Sequence, residues 1–186
     1  MPVVRHRFTS RVLAGNPLGD PVERELCVYV PPDYDAHERY PALLAIAGFT
    51  GTGASYFNTD HLIESLDRRL DRLIAAGACP PLIVAAPDCF TRVGGNQYIN
   101  SAGTGRYEDY CVDEIIPFVD ANYRTIPRGQ WAVFGKSSGG YGRRSGCTWW
   151  TPPGPGCRRT APAPGLETPR PRSRPACRPG TGRRWG

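Results

Sequence analysis

The stretch Trp131-Ala132-Val133-Phe134-Gly135-Lys136-Ser137-Ser138-Gly139-Gly140-Tyr141-Gly142 decides how this chain is read. Its first four residues form a short apolar run stopped by a glycine, the pattern of a strand buried on both faces. Gly135-Lys136-Ser137-Ser138-Gly139 then fits G-x-S-x-G, and Gly140 and Gly142 follow closely. A strand feeding that pattern predicts a nucleophile elbow. The elbow is a strained strand-to-helix turn that lifts a serine hydroxyl clear of the sheet, and the next helix packs so tightly on the strand that small residues are needed. Ser137 is therefore the candidate nucleophile, at the carboxyl end of a sheet. A glycine-serine surface loop would also satisfy the bare pattern, but it would not need a buried-type strand in front of it.

Upstream, residues 1–142 alternate between strand-like and helix-like segments. Glu25-Leu26-Cys27-Val28-Tyr29-Val30 alternates polar and apolar residues and ends at Pro31-Pro32. Ala42-Leu43-Leu44-Ala45-Ile46-Ala47 is a continuous apolar run stopped by Gly48, and Leu82-Ile83-Val84-Ala85-Ala86 is a second. Between them, Asp60 is a candidate cap for a helix with Leu62, Ile63, Leu66, Leu70, Leu73 and Ile74 on one face, ended by Gly77. A second helix is expected from about Tyr107 to Asn122, with Tyr107, Tyr110, Cys111, Ile115, Phe118 and Val119 as its apolar stripe and Pro117 bending it. This order predicts an α/β fold, a mostly parallel sheet with helices on both faces. There is no internal repeat.

An acyl-transfer nucleophile needs donors for the oxyanion that forms. The backbone N–H of Ser138, just after the nucleophile, is one candidate. The loop Ala47-Gly48-Phe49-Thr50-Gly51-Thr52-Gly53 should supply the other, with the N–H of Phe49 best placed. A phosphate cradle would need the Lys-Ser/Thr of a P-loop, which this loop lacks.

Three stretches resemble the putative-esterase family of α/β-hydrolases, which includes S-formylglutathione hydrolases, enterobactin esterases and mycolyl transferases. They are YPALLAIAGFTG, IVAAPDCFTRVGGNQYINSAGTGRYEDYCVDEIIPFVDANYRTI and WAVFGKSSGGYG. The resemblance runs from about Glu25 to Gly142 and stops there. It implies the N-terminal part of an α/β-hydrolase domain and a Ser-His-Asp/Glu triad. It also implies no metal or organic cofactor, and a small-molecule ester or thioester as substrate. Ser137 maps onto the nucleophile, and Phe49 and Ser138 onto the oxyanion donors. The family's His-Gly at the loop start is here Ala47-Gly48, tolerable because the backbone makes the contact. Asp88 falls near the site in this scheme and is read as structural.

The triad is not completed downstream. In α/β-hydrolases the acid and then the histidine follow the serine. Here His6, His37 and His61 all precede Ser137, and the only later acid is Glu167. The triad acid is thus unassigned and there is no triad histidine. A serine without an imidazole to take its proton is a poor nucleophile. The chain is expected to be an esterase by lineage and catalytically incomplete as it stands.

Composition changes at the same place. Residues 143–186 hold ten of the 23 Lys+Arg and one of the 17 Asp+Glu, which is +9 and leaves 13 bases and 16 acids, or −3, in residues 1–142. The same 44 residues hold nine of the 20 Pro and seven of the 22 Gly, and Leu166 is their one aliphatic residue larger than Ala. Such a segment buries too little apolar surface to offset its ordering entropy, so a disordered Arg/Pro/Gly-rich tail is expected.

The genetic code suggests where the tail comes from. Gly146 to Thr151 must be written GGN TGY ACN TGG TGG ACN. Read from the third base of the glycine codon, this becomes Leu/Met/Val, His/Tyr, Leu/Met/Val, Val, Asp. An apolar, helix-compatible segment lies in the shifted frame, where a hydrolase helix belongs. The 22 Arg against one Lys point to a GC-rich gene, and out-of-frame GC-rich sequence reads as Arg, Pro, Gly and Ala. The tail is therefore expected to be an out-of-frame translation.

Other classes fit less well. Ten arginines would give salt-dependent attraction to nucleic acid or acidic partners. Without RGG repeats or regularly interleaved aromatics, no specific nucleic-acid partner is expected. Cys147, Cys157 and Cys177 form no CxxC pair and have no nearby His, so no metal is expected. No run approaches a membrane span. Seven cysteines, an odd number, behind a start without a signal-like apolar stretch point to the cytoplasm.

Overall fold

A computed structural model of the chain describes residues 3–58, 62–126 and 131–146, with side chains described as far as 142. The readings made above for Asp60, His61, Glu167, the three tail cysteines and the tail from residue 147 lie outside the described residues.

In chain order the elements are β1 (Val3–Thr9), β2 (Glu23–Tyr29), β3 (Ala42–Ile46), a 3-10 turn (Gly53–Phe57), α1 (Leu66–Ala75) and β4 (Ile83–Pro87). A small ribbon follows, β5 (Asn100–Ser101) with β6 (Gly105–Arg106). Then come α2 (Tyr107–Asp109), a π-helical turn (Tyr110–Ile115), α3 (Ile116–Asn122), β7 (Trp131–Gly135) and α4 (Ser138–Gly146).

The main sheet has the order β1-β2-β4-β3-β7. β4, β3 and β7 are parallel neighbours, whereas β1–β2 and β2–β4 are antiparallel. The sheet is therefore mixed: parallel toward the elbow and antiparallel on the side that the N-terminal strands build. β1 has no counterpart in the sequence reading. Its residues alternate between half-buried and exposed with no fully buried position, because it lies on the sheet edge and carries Arg5, His6 and Arg7.

Strand alternation sends side chains to two separate cores. Leu26, Val28, Leu44, Ile46, Ile83 and Ala85 face the helical layer of Tyr107, Tyr110, Cys111, Ile115 and Val119. Cys27, Tyr29, Ala45, Val84 and Ala86 face α1 through Leu66, Leu70 and Ile74. Helices thus cover both faces, as the β/α alternation requires.

Both helices differ in detail from their periodicity. α1 begins after Ser65, whose backbone is extended (φ −64, ψ 157), and not near Asp60. Leu62 and Ile63, expected on its apolar face, are 82 % and 63 % exposed. Its end is as expected: Gly77 takes φ +67, with Gly77 N–H donating to Ile74 and Ala78 N–H to Leu73, a Schellman stop. In the second helix the irregularity lies in the π turn just before Pro117, which has no N–H to donate back. The same turn carries the buried Glu114, which accepts hydrogen bonds from the Ser10 hydroxyl (2.5 Å) and the Arg11 N–H (2.8 Å).

Candidate active site

The elbow forms where β7 ends. Ser137 takes φ +57 between the strand and α4, and both Lys136 and Ser137 are exposed. A left-handed backbone at a serine costs on the order of 1–3 kcal/mol and persists only where its surroundings impose it. Here the imposition is visible. Gly139 N–H donates to the Lys136 carbonyl (3.0 Å) and Tyr141 N–H to the Ser137 carbonyl (3.0 Å). A Cβ on Gly139 would collide with the carbonyl of Ile46 in β3, and a Cβ on Gly135 would lie 2.7 Å from the Gly139 carbonyl carbon. The glycines of the motif thus let α4 press on the sheet. The helix runs to Gly146, so its backbone continues four residues past the point where the tail was expected to begin.

The candidate oxyanion loop, residues 47–53, leaves β3 beside this turn, because β3 and β7 are parallel neighbours with Ile46 opposite Gly135. A Cβ on Gly48 would lie 3.4 Å from the Lys136 carbonyl oxygen and 3.7 Å from the Ser137 Cβ. Phe49 follows at once, and its N–H has no acceptor among the described residues. Ser138 is buried in the first turn of α4, where helix amides lack intrahelical acceptors. Ser137, Ser138 and the 47–49 loop therefore meet at the carboxyl end of the sheet.

No base reaches Ser137 among the described residues, where its hydroxyl has no hydrogen-bond partner. His6 lies on β1, at the opposite edge of the sheet from β7, with its ring nitrogen 2.5 Å from the Tyr123 hydroxyl. His37 lies in the connection that enters β3, at the end of the strand away from Ser137. The Asp88 carboxylate accepts from the Phe90 N–H (2.9 Å) and from Arg24 (3.5 Å).

Sequence reasoning missed the segment that supports the loop. Gly95 N–H donates to the Phe49 carbonyl (2.5 Å), Gln97 Nε2 to the Ser138 Oγ (3.3 Å), and the Tyr98 hydroxyl to the Ala47 carbonyl (2.7 Å). The available signal was Gly94-Gly95-Asn96-Gln97-Tyr98, part of one of the stretches that carry the family resemblance. A cavity of about 570 Å³ opens beside Lys136 on the α1 side, lined by Tyr56, Glu64, Leu66, Arg69 and Phe134 among others. Ser137 is not among its lining residues. The described residues contain no cluster of three or more His, Cys, Asp or Glu able to hold a metal.

Solved structures share this arrangement of strands and helices. A ferulic acid esterase superposes with a TM-score of 0.64 at 23 % identity, over 77 % of this chain and 53 % of its own. An S-formylglutathione hydrolase from Agrobacterium tumefaciens gives 0.58 at 21 % identity, over 76 % and 50 %. An enterobactin esterase from Shigella flexneri gives 0.57 at 16 % identity, over 80 % and 34 %. The chain spans about half the length of the first two and a third of the last. The model of the family described as "Putative esterase" matches residues 21–143, which include both the 47–53 loop and the turn at Ser137. With that match over about two thirds of its length, the chain belongs to the Putative esterase family.

Proposed function

We propose that this chain carries the nucleophilic half of a carboxylic ester hydrolase. Ser137 Oγ would attack the acyl carbon of a small-molecule ester or thioester, while the N–H groups of Phe49 and Ser138 hold the oxyanion. The observation that carries the reading is the left-handed Ser137 at the strand-to-helix turn, with the Gly48 loop packed against it. No organic cofactor or metal enters this chemistry. The described cysteines 27, 79, 89 and 111 are free thiols, which favours a reducing compartment such as the cytoplasm. No described helix is long and apolar enough to cross a membrane.

The same reading makes the chain catalytically incomplete. Attack requires the serine proton to leave, and no histidine follows Ser137 in the sequence. Without a triad member, only substrate binding and the oxyanion donors remain to accelerate the reaction.

A serine-directed fluorophosphonate together with a chromogenic short-chain ester tests this. The expected result is no labelling above a Ser137→Ala control. Stoichiometric labelling of Ser137 would show that it has a base, and would overturn the incompleteness. The nucleophile assignment is tested through the gene. DNA across codons 138–150 should contain a single-base change that restores a frame with a downstream Asp and His. The protein from that frame should label at Ser137 and lose labelling on Ser137→Ala. Labelling at any other residue would remove Ser137 from its role.

A further inference from the structure

We infer that residues 94–98 form a clamp that sets both oxyanion donors, with Tyr98 as its main positioning residue. The inference rests on the oxyanion assignment above and concerns what holds those donors in place. Within five residues the segment touches both the 47–49 loop and Ser138. Gly95 N–H reaches the Phe49 carbonyl, Gln97 Nε2 the Ser138 side chain, and the Tyr98 hydroxyl the Ala47 carbonyl.

The two glycines let the loops meet. A Cβ on Gly94, which already takes φ +110, would lie 2.7 Å from Phe49 Cε1, and one on Gly95 would lie 2.8 Å from the Phe49 Cα. Neither position accepts a side chain without displacing Phe49.

Tyr98 is itself over-determined. It is 3 % exposed and has φ +57, a backbone that a bulky aromatic residue rarely adopts. Its N–H donates to Asn96 Oδ1 (2.6 Å), and Asn96 Nδ2 donates to the Cys89 carbonyl (2.5 Å). From the other side α4 closes on it, since a Cβ on Gly142 would lie 2.8 Å from the Tyr98 Cβ. Burial pushes its phenol well above the ordinary range, so at neutral pH the hydroxyl acts toward Ala47 as a donor. Tyr98 is thus wedged between the elbow helix and the start of the oxyanion loop. Among the described residues, two of the three non-glycine residues with positive φ, Tyr98 and Ser137, belong to this one assembly.

Tyr110 supplies a matched control. It is equally buried in the same core, yet its hydroxyl has no hydrogen-bond partner. Tyr98→Phe and Tyr110→Phe each remove one oxygen from a buried ring, and only the first should reach the site. The experiment follows backbone amide resonances of the full chain during a benzoate titration, the carboxylate standing in for the oxyanion without forming a bond to Ser137. The wild type should give saturable shifts at Phe49 and Ser138. Tyr98→Phe should move the Gly48 and Phe49 resonances before any ligand is added, and should weaken benzoate binding about fivefold, the factor for one neutral hydrogen bond. Gln97→Ala should move Ser138, and Tyr110→Phe should leave all of them in place. Saturable shifts in the wild type that persist unchanged in Tyr98→Phe overturn the clamp alone. Equal perturbation by Tyr110→Phe does the same, since the effect would then be general to the core. No saturable shift in any protein, wild type included, removes the oxyanion assignment and the clamp with it.

Discussion

Two polar regions of this molecule are held in place by opposite means. Between the 10–20 loop and the turn at residues 107–115, polar groups are buried and, Arg24 Nε and the Tyr110 hydroxyl apart, tied to one another. Arg24, 4 % exposed, donates to the Phe90 carbonyl (2.7 Å) and the Tyr107 hydroxyl (2.7 Å), and Asp20 accepts from the Arg92 N–H (2.8 Å) and Tyr107 (3.3 Å). Nearby, Glu114 gathers Ser10 and the amides of Arg11 and Val12. At the elbow, Ser137 is exposed, carries a strained backbone and has no side-chain partner among the described residues. The first region fixes its side chains through their partners. The second fixes a side chain through the backbone alone and leaves its oxygen available. Polar groups that serve stability are paired, whereas the proposed nucleophile keeps its lone pairs free for a substrate.

The largest effect should come from breaking the paired region. Glu114→Ala leaves the Ser10 hydroxyl and two amides without their acceptor, and should cost about 3 kcal/mol in urea unfolding. Ser137→Ala should stay within about 0.5 kcal/mol of wild type, as surface substitutions do. If the two variants lose similar stability, the contrast between the regions is false.

Next comes the backbone packing of the elbow. Gly139→Ala places a methyl against the Ile46 carbonyl and should cost about 2–3 kcal/mol, as overpacking does. A Gly140→Ala control meets only the Gly135 carbonyl oxygen, at 3.4 Å, and should cost much less. Equal costs at the two positions would mean that α4 does not press on β3 through Gly139.

These two regions were not equally legible in the sequence. The elbow could be read because its physics is local: an apolar run, a serine and glycines at fixed offsets. The strands β3, β4 and β7 could be read because burial on both faces makes them uniformly apolar. Glu114 could not. A 3.6-residue period puts it on the apolar stripe, four residues after Tyr110 and three after Cys111, but its charge marked it as a surface residue, and the Ser10 hydroxyl and the Arg11 and Val12 amides that satisfy it lie about a hundred residues away. Leu62 and Ile63 misled for another reason, since their spacing to Leu66 is helical but the extended Ser65 separates them from α1. Tyr98 had no periodic signature, because its role depends on a loop folding back against Ala47 and Gly142.

A smaller effect should appear in alkali, where buried thiols resist ionisation. Burial, reinforced by the negative charge of Glu25, pushes the Cys27 thiol up to about 11 from 9.0. Burial and its contact with Cys111 also push Cys89 well up. In the unfolded chain these thiols ionise near their ordinary value while the folded chain keeps its protons. Their contribution is therefore fully present below about pH 9 and is lost as pH rises toward 11. Urea midpoints measured from pH 7 to 11 should fall over that window, and less steeply in Cys27→Ala. An unchanged slope in that variant would mean that Cys27 ionises as freely folded as unfolded.

The smallest effect bears most directly on the comparison. If Ser137 is held by backbone strain, glycine at that position should relieve it, because glycine populates positive φ without the Cβ clash. Part of the gain is offset by the extra freedom glycine brings to the unfolded chain, so Ser137→Gly should stabilise by about 0.5–1 kcal/mol. Ser137→Ala removes the same hydroxyl but keeps the Cβ, so it keeps the strain. The difference between the two variants therefore isolates the backbone contribution from any loss of hydrogen bonding. Asp33 gives an internal reference. Its φ is +51, but aspartate enters that region more readily than serine, so Asp33→Gly should gain less. Thermal unfolding of the three variants ranks them. If Ser137→Gly gains no more than Asp33→Gly, the elbow stores no special strain, and Ser137 is then an ordinary exposed serine rather than one held ready for attack.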